Sequence, residues 1–143
     1  MFLEGRVWQD PDDAKFWLIE IPILNLMTQG KSKKDAFKMI KDATSLLIKD
    51  LPMEISNGFT LKIEEFGEIT FGLSCSIPFL LVAIIVRRQR EGSGIPQRRS
   101  KKDGKALFYT DKIESGRSSC SMIRFIEILQ MYNPKQKLVL TVR

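Results

Sequence analysis

The feature that most constrains this chain is a run of eighteen uncharged residues, Ile69–Val86, followed at once by the basic sequence RRQR. An apolar run of this length that ends in arginines is typical of a membrane span and its cytoplasmic edge. Gly72 and Pro78 interrupt the run, however, and its first part, ITFGLSCS, alternates as a strand does. Because proline suits the first turn of a helix, we predict a strand, a break and then a largely buried helix over residues 78–91. A membrane anchor is kept as an alternative.

Charge is distributed unevenly along the 143 residues, a length that suffices for one ordinary domain or two small ones. Residues 1–76 carry nine Lys and Arg against twelve Asp and Glu, whereas residues 77–143 carry fourteen against five. The net charges of −3 and +9 indicate two modules with different partners. Clustered cations favour a polyanion, because phosphate binding releases counterions. We therefore predict domains at 1–76 and 77–143, the second with an affinity for polyanions; a basic surface that is merely solvated is the alternative.

The composition argues against an enzyme. The chain contains no histidine, the side chain that most often acts as acid or base near neutral pH, and no phosphate loop or nucleophile motif. A magnesium-dependent enzyme would need clustered carboxylates. The cluster considered for this role is Asp10, Asp12, Asp13 and Glu20, and its first three members lie in the turn sequence QDPDD. We expect no catalytic residues, no metal site and no cofactor.

The cysteines and the N-terminus bear on the compartment. Cys75 and Cys120 lie far apart and belong to no metal-type pair, so we expect free thiols rather than a disulfide framework or a zinc site. The first ten residues lack the charged and then apolar pattern of an export signal. These features predict a cytoplasmic protein.

Alternation and helical spacing predict the order of elements. Ser32 is a good helix N-cap, with Asp35 three residues on, and the apolar residues that follow recur at helical spacing until Pro52. Gly116 would close one later helix, and Asn133 with Pro134 another. We predict strands over 2–8, 15–22, 24–28, 59–64, 68–75 and 137–143, and helices over 33–51, 78–91, 107–115 and 119–133.

The basic half resembles a phage-repressor (Xre/Cro) type of helix-turn-helix domain. The sequence LLVAIIVRRQREGSGIPQ is similar to the first helix and turn of that family, and KIESGRSSCSMIRFIEIL to its run into the fourth helix. The stretch RRSKKDGK, where the family's second helix usually has apolar residues, has none. The matching positions are Ile95, Pro96, Gln97, Ile113, Glu114, Gly116 and Arg117.

The N-terminal half resembles the HicB antitoxin family. The sequence WLIEIPILNLMTQGKSKKDAFKMIKDATSLLI has the family's strand ending in proline, a short strand, T-x-G, and an amphipathic helix opened by [ST]-x-x-[DE]-A. The loop that usually reads P-x-L-P-G-C in the family reads PILNLM here. The matching positions are Pro22, Thr28, Gly30, Ser32, Asp35 and Ala36.

These resemblances together imply an α+β protein. A small HicB-like α/β sandwich, an incomplete ribonuclease-H-like fold, would precede an all-α helix-turn-helix domain and a terminal strand. They imply an antitoxin that covers a HicA-like RNA-cleaving toxin, represses its own operon as a homodimer or higher oligomer, and has no catalytic residues. The implied DNA-binding residues are Gln97, Arg98, Arg99, Lys101, Lys102, Lys105, Phe108, Tyr109 and Lys112.

Alternatives stay open at several of these positions. Gln97 could serve only as a helix cap, the basic run 98–105 could be a solvated face, and Phe108 could be core. Ile113 should pack inward, and Glu114 should pair with a neighbouring arginine rather than touch DNA. For the whole chain, the alternatives are an oligomeric DNA-binding or structural protein without a toxin, and a small nucleic-acid-processing enzyme. The aromatic residues Trp8, Phe16 and Trp17 should belong to the sheet core or to a protein interface.

Overall fold

A computed structural model describes residues 1–94, 112–116 and 120–136 of the chain. Helices and one antiparallel sheet make up this part, so the protein belongs to the α+β class, as the sequence predicts. A single 3-10 turn, Pro22–Leu24, joins the second and third strands, and residues 112–114 are also helical. The other elements are β1 (Leu3–Gln9), β2 (Trp17–Ile21), β3 (Leu26–Gly30), α1 (Lys33–Lys49), β4 (Leu61–Glu65), β5 (Thr70–Cys75), α2 (Pro78–Ser93) and α3 (Met122–Tyr132).

The five strands are arranged in the order β3-β2-β1-β5-β4, and every neighbouring pair is antiparallel. Alternate residues of each strand point to one face. The register places Val7 opposite Ile19 and Leu3 opposite Leu73, and all four side chains are buried. The helices therefore cover one face of the sheet, and the core lies between them and this face. All five strands predicted before residue 76 are present, with ends within two residues of the expected ones.

Helix α1 begins where the sequence predicts. The Ser32 hydroxyl accepts a hydrogen bond from the Asp35 amide at 3.0 Å, and the Asp35 carboxylate accepts one from the Lys31 amide at 2.9 Å. Two amides that the helix itself cannot pair are thus satisfied. The helix packs closest to β3, because Gly30 has no side chain: a Cβ placed there would lie 2.3 Å from the Ala36 amide nitrogen.

Helix α2 is buried on nearly all sides. Residues 80, 81 and 83–86 are each less than 4% exposed, and the helix packs on β5, the 3-10 turn, α1 and α3. The predicted succession of strand, break and buried helix is confirmed, with Pro78 in the first turn and Gly94 closing the helix at φ 69°. None of the helices within the described ranges has the length and hydropathy needed to cross a membrane.

The structure describes some of the helices and strands predicted for the rest of the basic half. Helix α3 lies within the predicted range, with Ser121 as its N-cap and Asn133 as its C-cap. Of the helix predicted over 107–115, residues 112–115 are described, and Gly116 closes them with φ 72°. The strand predicted over 137–143 lies outside the described residues. The predicted domain boundary falls between β5 and α2, and α2 contacts elements on both sides of it.

Candidate nucleic-acid interface and the contacts that support it

Only one residue of the predicted DNA-binding set can be placed. Lys112 is half-buried, and its carbonyl oxygen accepts a hydrogen bond from the Ser115 hydroxyl at 3.2 Å. The others lie outside the described residues. They are Gln97, Arg98, Arg99, Lys101, Lys102, Lys105, Phe108 and Tyr109.

The two residues after Lys112 attach the end of the predicted recognition helix to α2. Ile113 is fully buried, and Glu114 is 2% exposed. Arg90, from the last turns of α2, donates from Nε to Glu114 Oε1 at 3.0 Å and from a terminal nitrogen to Oε2 at 3.3 Å. This two-pronged geometry fixes both position and orientation. The expectations that Ile113 packs inward and that Glu114 pairs with an arginine are confirmed.

Burial governs the ionisation of this pair. Removal from water raises the pKa of the Glu114 carboxyl above its ordinary value, while the hydrogen bond and charge of Arg90 act in the opposite direction. Burial alone would lower the pKa of the Arg90 guanidinium, but the hydrogen bond and charge of Glu114 raise that pKa above its ordinary value. The Arg90 guanidinium therefore stays charged. It forms a structural contact with Glu114 and is not a surface cation available to bind phosphate.

In the sequence RRQR, Arg90 binds the Glu114 side chain, and the three residues before it donate to backbone carbonyls of the protein itself. Arg88 donates from Nε to the Leu24 carbonyl at 2.8 Å and from a terminal nitrogen to the Asn25 carbonyl at 2.9 Å. Gln89, 3% exposed, donates to the Ile23 carbonyl at 2.7 Å. These contacts hold the PILNLM loop, residues 22–27.

The same four residues reach two further elements. Arg87 donates to the Asp50 carbonyl at 2.6 Å and lies 3.1 Å from the Asp50 carboxylate, at the C-terminal end of α1. Asn133, the C-cap of α3, donates its side-chain amide to Gln89 Oε1 at 3.5 Å. We refer to Arg87, Arg88, Gln89 and Arg90 as the α2 clamp. Glu114 was expected to pair with an arginine, but sequence reasoning missed the other partners, because each lies 37 or more residues away along the chain and no local pattern marks them.

The acidic cluster considered for a magnesium site has other roles. Asp10 accepts from the Asp12 amide at 2.9 Å and Asp13 from the Lys15 amide at 3.1 Å, so both shape the predicted turn. Glu20 forms an ion pair with Arg6 across two strands, at 2.7 Å. Across the part of the chain that the structure describes, no three His, Cys, Asp or Glu side chains are grouped as metal ligands would be.

The thiols and aromatic residues take up ordinary structural positions. Cys75 is buried and Cys120 half-buried, and both are free thiols. Burial raises the pKa of the Cys120 thiol. Trp8, Phe16 and Trp17 are all half-buried, and Trp17 packs against the core, as expected of sheet residues.

A shallow groove of about 330 Å³ lies where the loop after α1 meets the start of α2 and Gly116. Its lining mixes apolar side chains such as Met53 and Phe79 with the small polar residues Ser56, Asn57 and Ser115. Glu54 is the one charged group among its lining residues in the described part of the chain. The groove has no set of converging polar groups that would orient a ligand.

No protein family, no curated protein and no solved structure matches this sequence.

Proposed function

We propose that this chain is a HicB-like antitoxin that binds DNA through its C-terminal helical unit and represses its own operon. Its N-terminal α/β domain would neutralise a HicA-like RNA-cleaving toxin in the cytoplasm. The Arg90–Glu114 pair is the observation that carries the proposal. Together with the burial of Ile113, it attaches the segment that resembles a recognition helix to the buried helix α2.

The attachment has a direct consequence for DNA reading. Residues four apart share one face of a helix. In the predicted recognition helix, Phe108 and Lys112 would therefore lie on the side away from Ile113 and Glu114, and this side would enter the major groove. Basic residues 98–105 would contact phosphates, which position a protein on the duplex without specifying sequence. Under this proposal, one face of the recognition helix reads the sequence and the flanking basic run positions the protein on the duplex.

A mobility-shift titration on DNA from upstream of the protein's own gene tests the repressor role. Lys112→Ala should weaken binding to that DNA about tenfold, which corresponds to ~1.4 kcal/mol, because it removes a contact on the reading face. Phe108→Ala should act in the same direction. Lys135→Ala, at an exposed lysine after α3, is the matched control and should bind as the wild type does. Equal binding of the wild type to unrelated DNA would contradict a sequence-reading repressor.

Growth rescue tests the antitoxin role. Co-expression of the chain with a HicA-like toxin should restore growth, and the toxin should co-purify with it. DNA binding without rescue would favour the alternative, an oligomeric DNA-binding protein that has no toxin partner. Rescue without DNA binding would retain the antitoxin role and remove the repressor role.

A further inference from the structure

Four lysines of α1 lie along one side of that helix. Lys34, Lys38, Lys41 and Lys49 fall within about 80° of arc when successive residues are turned by 100°. The buried residues Ala36, Ile40, Thr44 and Ile48 form the neighbouring face of the helix, which the stripe borders at Lys41. Lys34, Lys38 and Lys49 are exposed and Lys41 is half-buried. We call these four residues the α1 lysine stripe.

The lysine stripe differs from the other cations nearby because its charges are uncompensated. No member of the stripe forms an ion pair or a side-chain hydrogen bond within residues 1–94, 112–116 and 120–136. Lys33, on another side of the same helix, pairs with Glu65 at 2.6 Å and donates to the Glu68 carbonyl at 3.0 Å. Two acids of α1 flank the stripe: Asp42, and Asp35, whose carboxylate accepts a hydrogen bond from the Lys31 amide.

The stripe also ends beside the basic half of the chain. Lys49 is the last residue of α1, and the next residue, Asp50, is held by Arg87 of the α2 clamp. Helix α2 leads in turn into the predicted phosphate-binding run 98–105. The arginines of the clamp are occupied by internal partners, so the exposed positive charge at this junction comes from α1 and not from RRQR.

We infer that the α1 lysine stripe binds the phosphate backbone of the duplex that the C-terminal unit reads. The inference rests on the proposed function and extends the DNA contact to the N-terminal domain. From Lys34 to Lys49 the helix rises ~22 Å, and one DNA strand presents about six phosphates over that length. An uncompensated row of ammonium groups complements such a row of phosphates, and the contact would add affinity without sequence preference.

The dependence of affinity on salt measures this contact. Each neutralised phosphate contributes about −0.9 to the slope of log K against log [salt] on duplex DNA. The triple variant Lys34→Ala, Lys38→Ala, Lys41→Ala should therefore bind with a slope shallower by about 2.7, on the upstream DNA and on an unrelated duplex alike. Alanine favours helix, so α1 should persist, and circular dichroism would verify this.

Two further variants separate charge from position. Replacement of the same three lysines by arginine keeps the charge and should keep the wild-type slope. Lys15→Ala combined with Lys62→Ala removes two exposed lysines that lie off α1, and should also leave the slope unchanged. A slope that falls equally in this control would overturn the inference, since it would report net charge alone.

The possible outcomes distinguish failure of the lysine-stripe inference from failure of the proposed repressor function. If the triple variant keeps the wild-type slope while Lys112→Ala loses specific binding, the stripe has no DNA role and the repressor proposal stands. If the wild type binds no DNA, the repressor proposal itself fails and the inference falls with it. Vesicles of phosphatidylserine provide the last probe: lysine-dependent vesicle binding with an unchanged DNA slope would assign the stripe to a membrane surface instead.

Discussion

At the scale of single residues, Glu114 is a buried charged side chain that fixes the position of its segment against α2 rather than taking part in a reaction. Its carboxylate is 3% exposed and has a guanidinium partner from a helix 24 residues earlier. Such pairs often add little stability over apolar substitutes, because desolvation offsets the attraction. What the pair provides is orientation, since a bidentate contact tolerates one relative placement of the two helices.

The ionisation of Glu114 predicts a pH effect. Burial raises the pKa of Glu114 above its ordinary value of 4.5, so the folded chain binds this proton more tightly than the unfolded chain. The contribution of this carboxyl to the free energy of unfolding therefore falls as pH rises from about 4.5 through the folded pKa. Glu114→Gln resembles the protonated acid and lacks this titration. We expect the wild type to lose stability relative to Glu114→Gln as the pH rises above about 4.5, as measured by urea unfolding at each pH.

The control for this measurement is Glu127→Gln. Glu127 lies on the exposed side of α3 and pairs with Arg124 at 3.0 Å. Exposed pairs contribute little, so this variant should not reproduce the effect. A wild type that gains stability with rising pH relative to Glu114→Gln would show that the charge of Arg90 outweighs burial.

At the scale of elements, the contact between β3 and α1 depends on a missing side chain. A Cβ at position 30 would meet the Ala36 nitrogen at 2.3 Å and the Asp35 carbonyl carbon at 2.7 Å, both of them backbone atoms. Backbone atoms cannot rotate away as a flexible side chain can. The Gly30 match to the HicB pattern thus has a physical reason in this fold, which is the close approach of strand and helix.

Gly30→Ala should accordingly be costly. We expect the free energy of unfolding to fall by about 2–3 kcal/mol, since α1 must shift off the strand to make room. Gly67→Ala is the matched control, because the nearest atom to its Cβ would be the Thr70 hydroxyl at 3.1 Å, on a side chain that can turn. Chemical denaturation of both variants checks this, and equal stability of the two would show that the strand accommodates the methyl group.

The elements also show how far sequence patterns reach. Strand alternation and the Ser32 cap predicted the sheet and α1, because both signals are local and follow from backbone geometry. Pro78 and the break before it correctly separated a strand from a buried helix within one apolar run. The partners of the α2 clamp could not be predicted, since Arg88 and Leu24 lie 64 residues apart and meet only once the sheet and α2 have packed. The sequence predicted that Glu114 would pair with an arginine, but it did not identify that arginine as Arg90.

At the scale of the whole molecule, α2 joins the two halves that charge distribution separates. It packs on β5 and α1 on one side and on α3 on the other, and its side chains belong to one continuous apolar core. A helix shared in this way cannot lose one set of neighbours without exposing apolar surface to water. The two halves should therefore depend on each other for stability.

This dependence predicts a single unfolding transition. Both tryptophans, Trp8 and Trp17, lie in the N-terminal sheet, so their fluorescence reports the unfolding of that sheet. Far-ultraviolet circular dichroism at about 222 nm reports mainly the helices α1, α2 and α3. In urea, the fluorescence and dichroism midpoints should coincide. Gln89→Leu, which removes the hydrogen bonds to Ile23 and Asn133, should lower both midpoints together. Two separated transitions would instead indicate domains that fold independently at the boundary near residue 77.

The hold of the α2 clamp on the PILNLM loop has a consequence during synthesis on the ribosome. The carbonyl of Leu24 receives its donor from Arg88, which is added 64 residues later. At translation rates of about 5–20 residues per second, the loop emerges roughly 3–13 seconds before its donor does. Over that interval a nascent chain would present the loop backbone to water or to a passing chaperone, and the finished surface would exist only once α2 has left the exit tunnel.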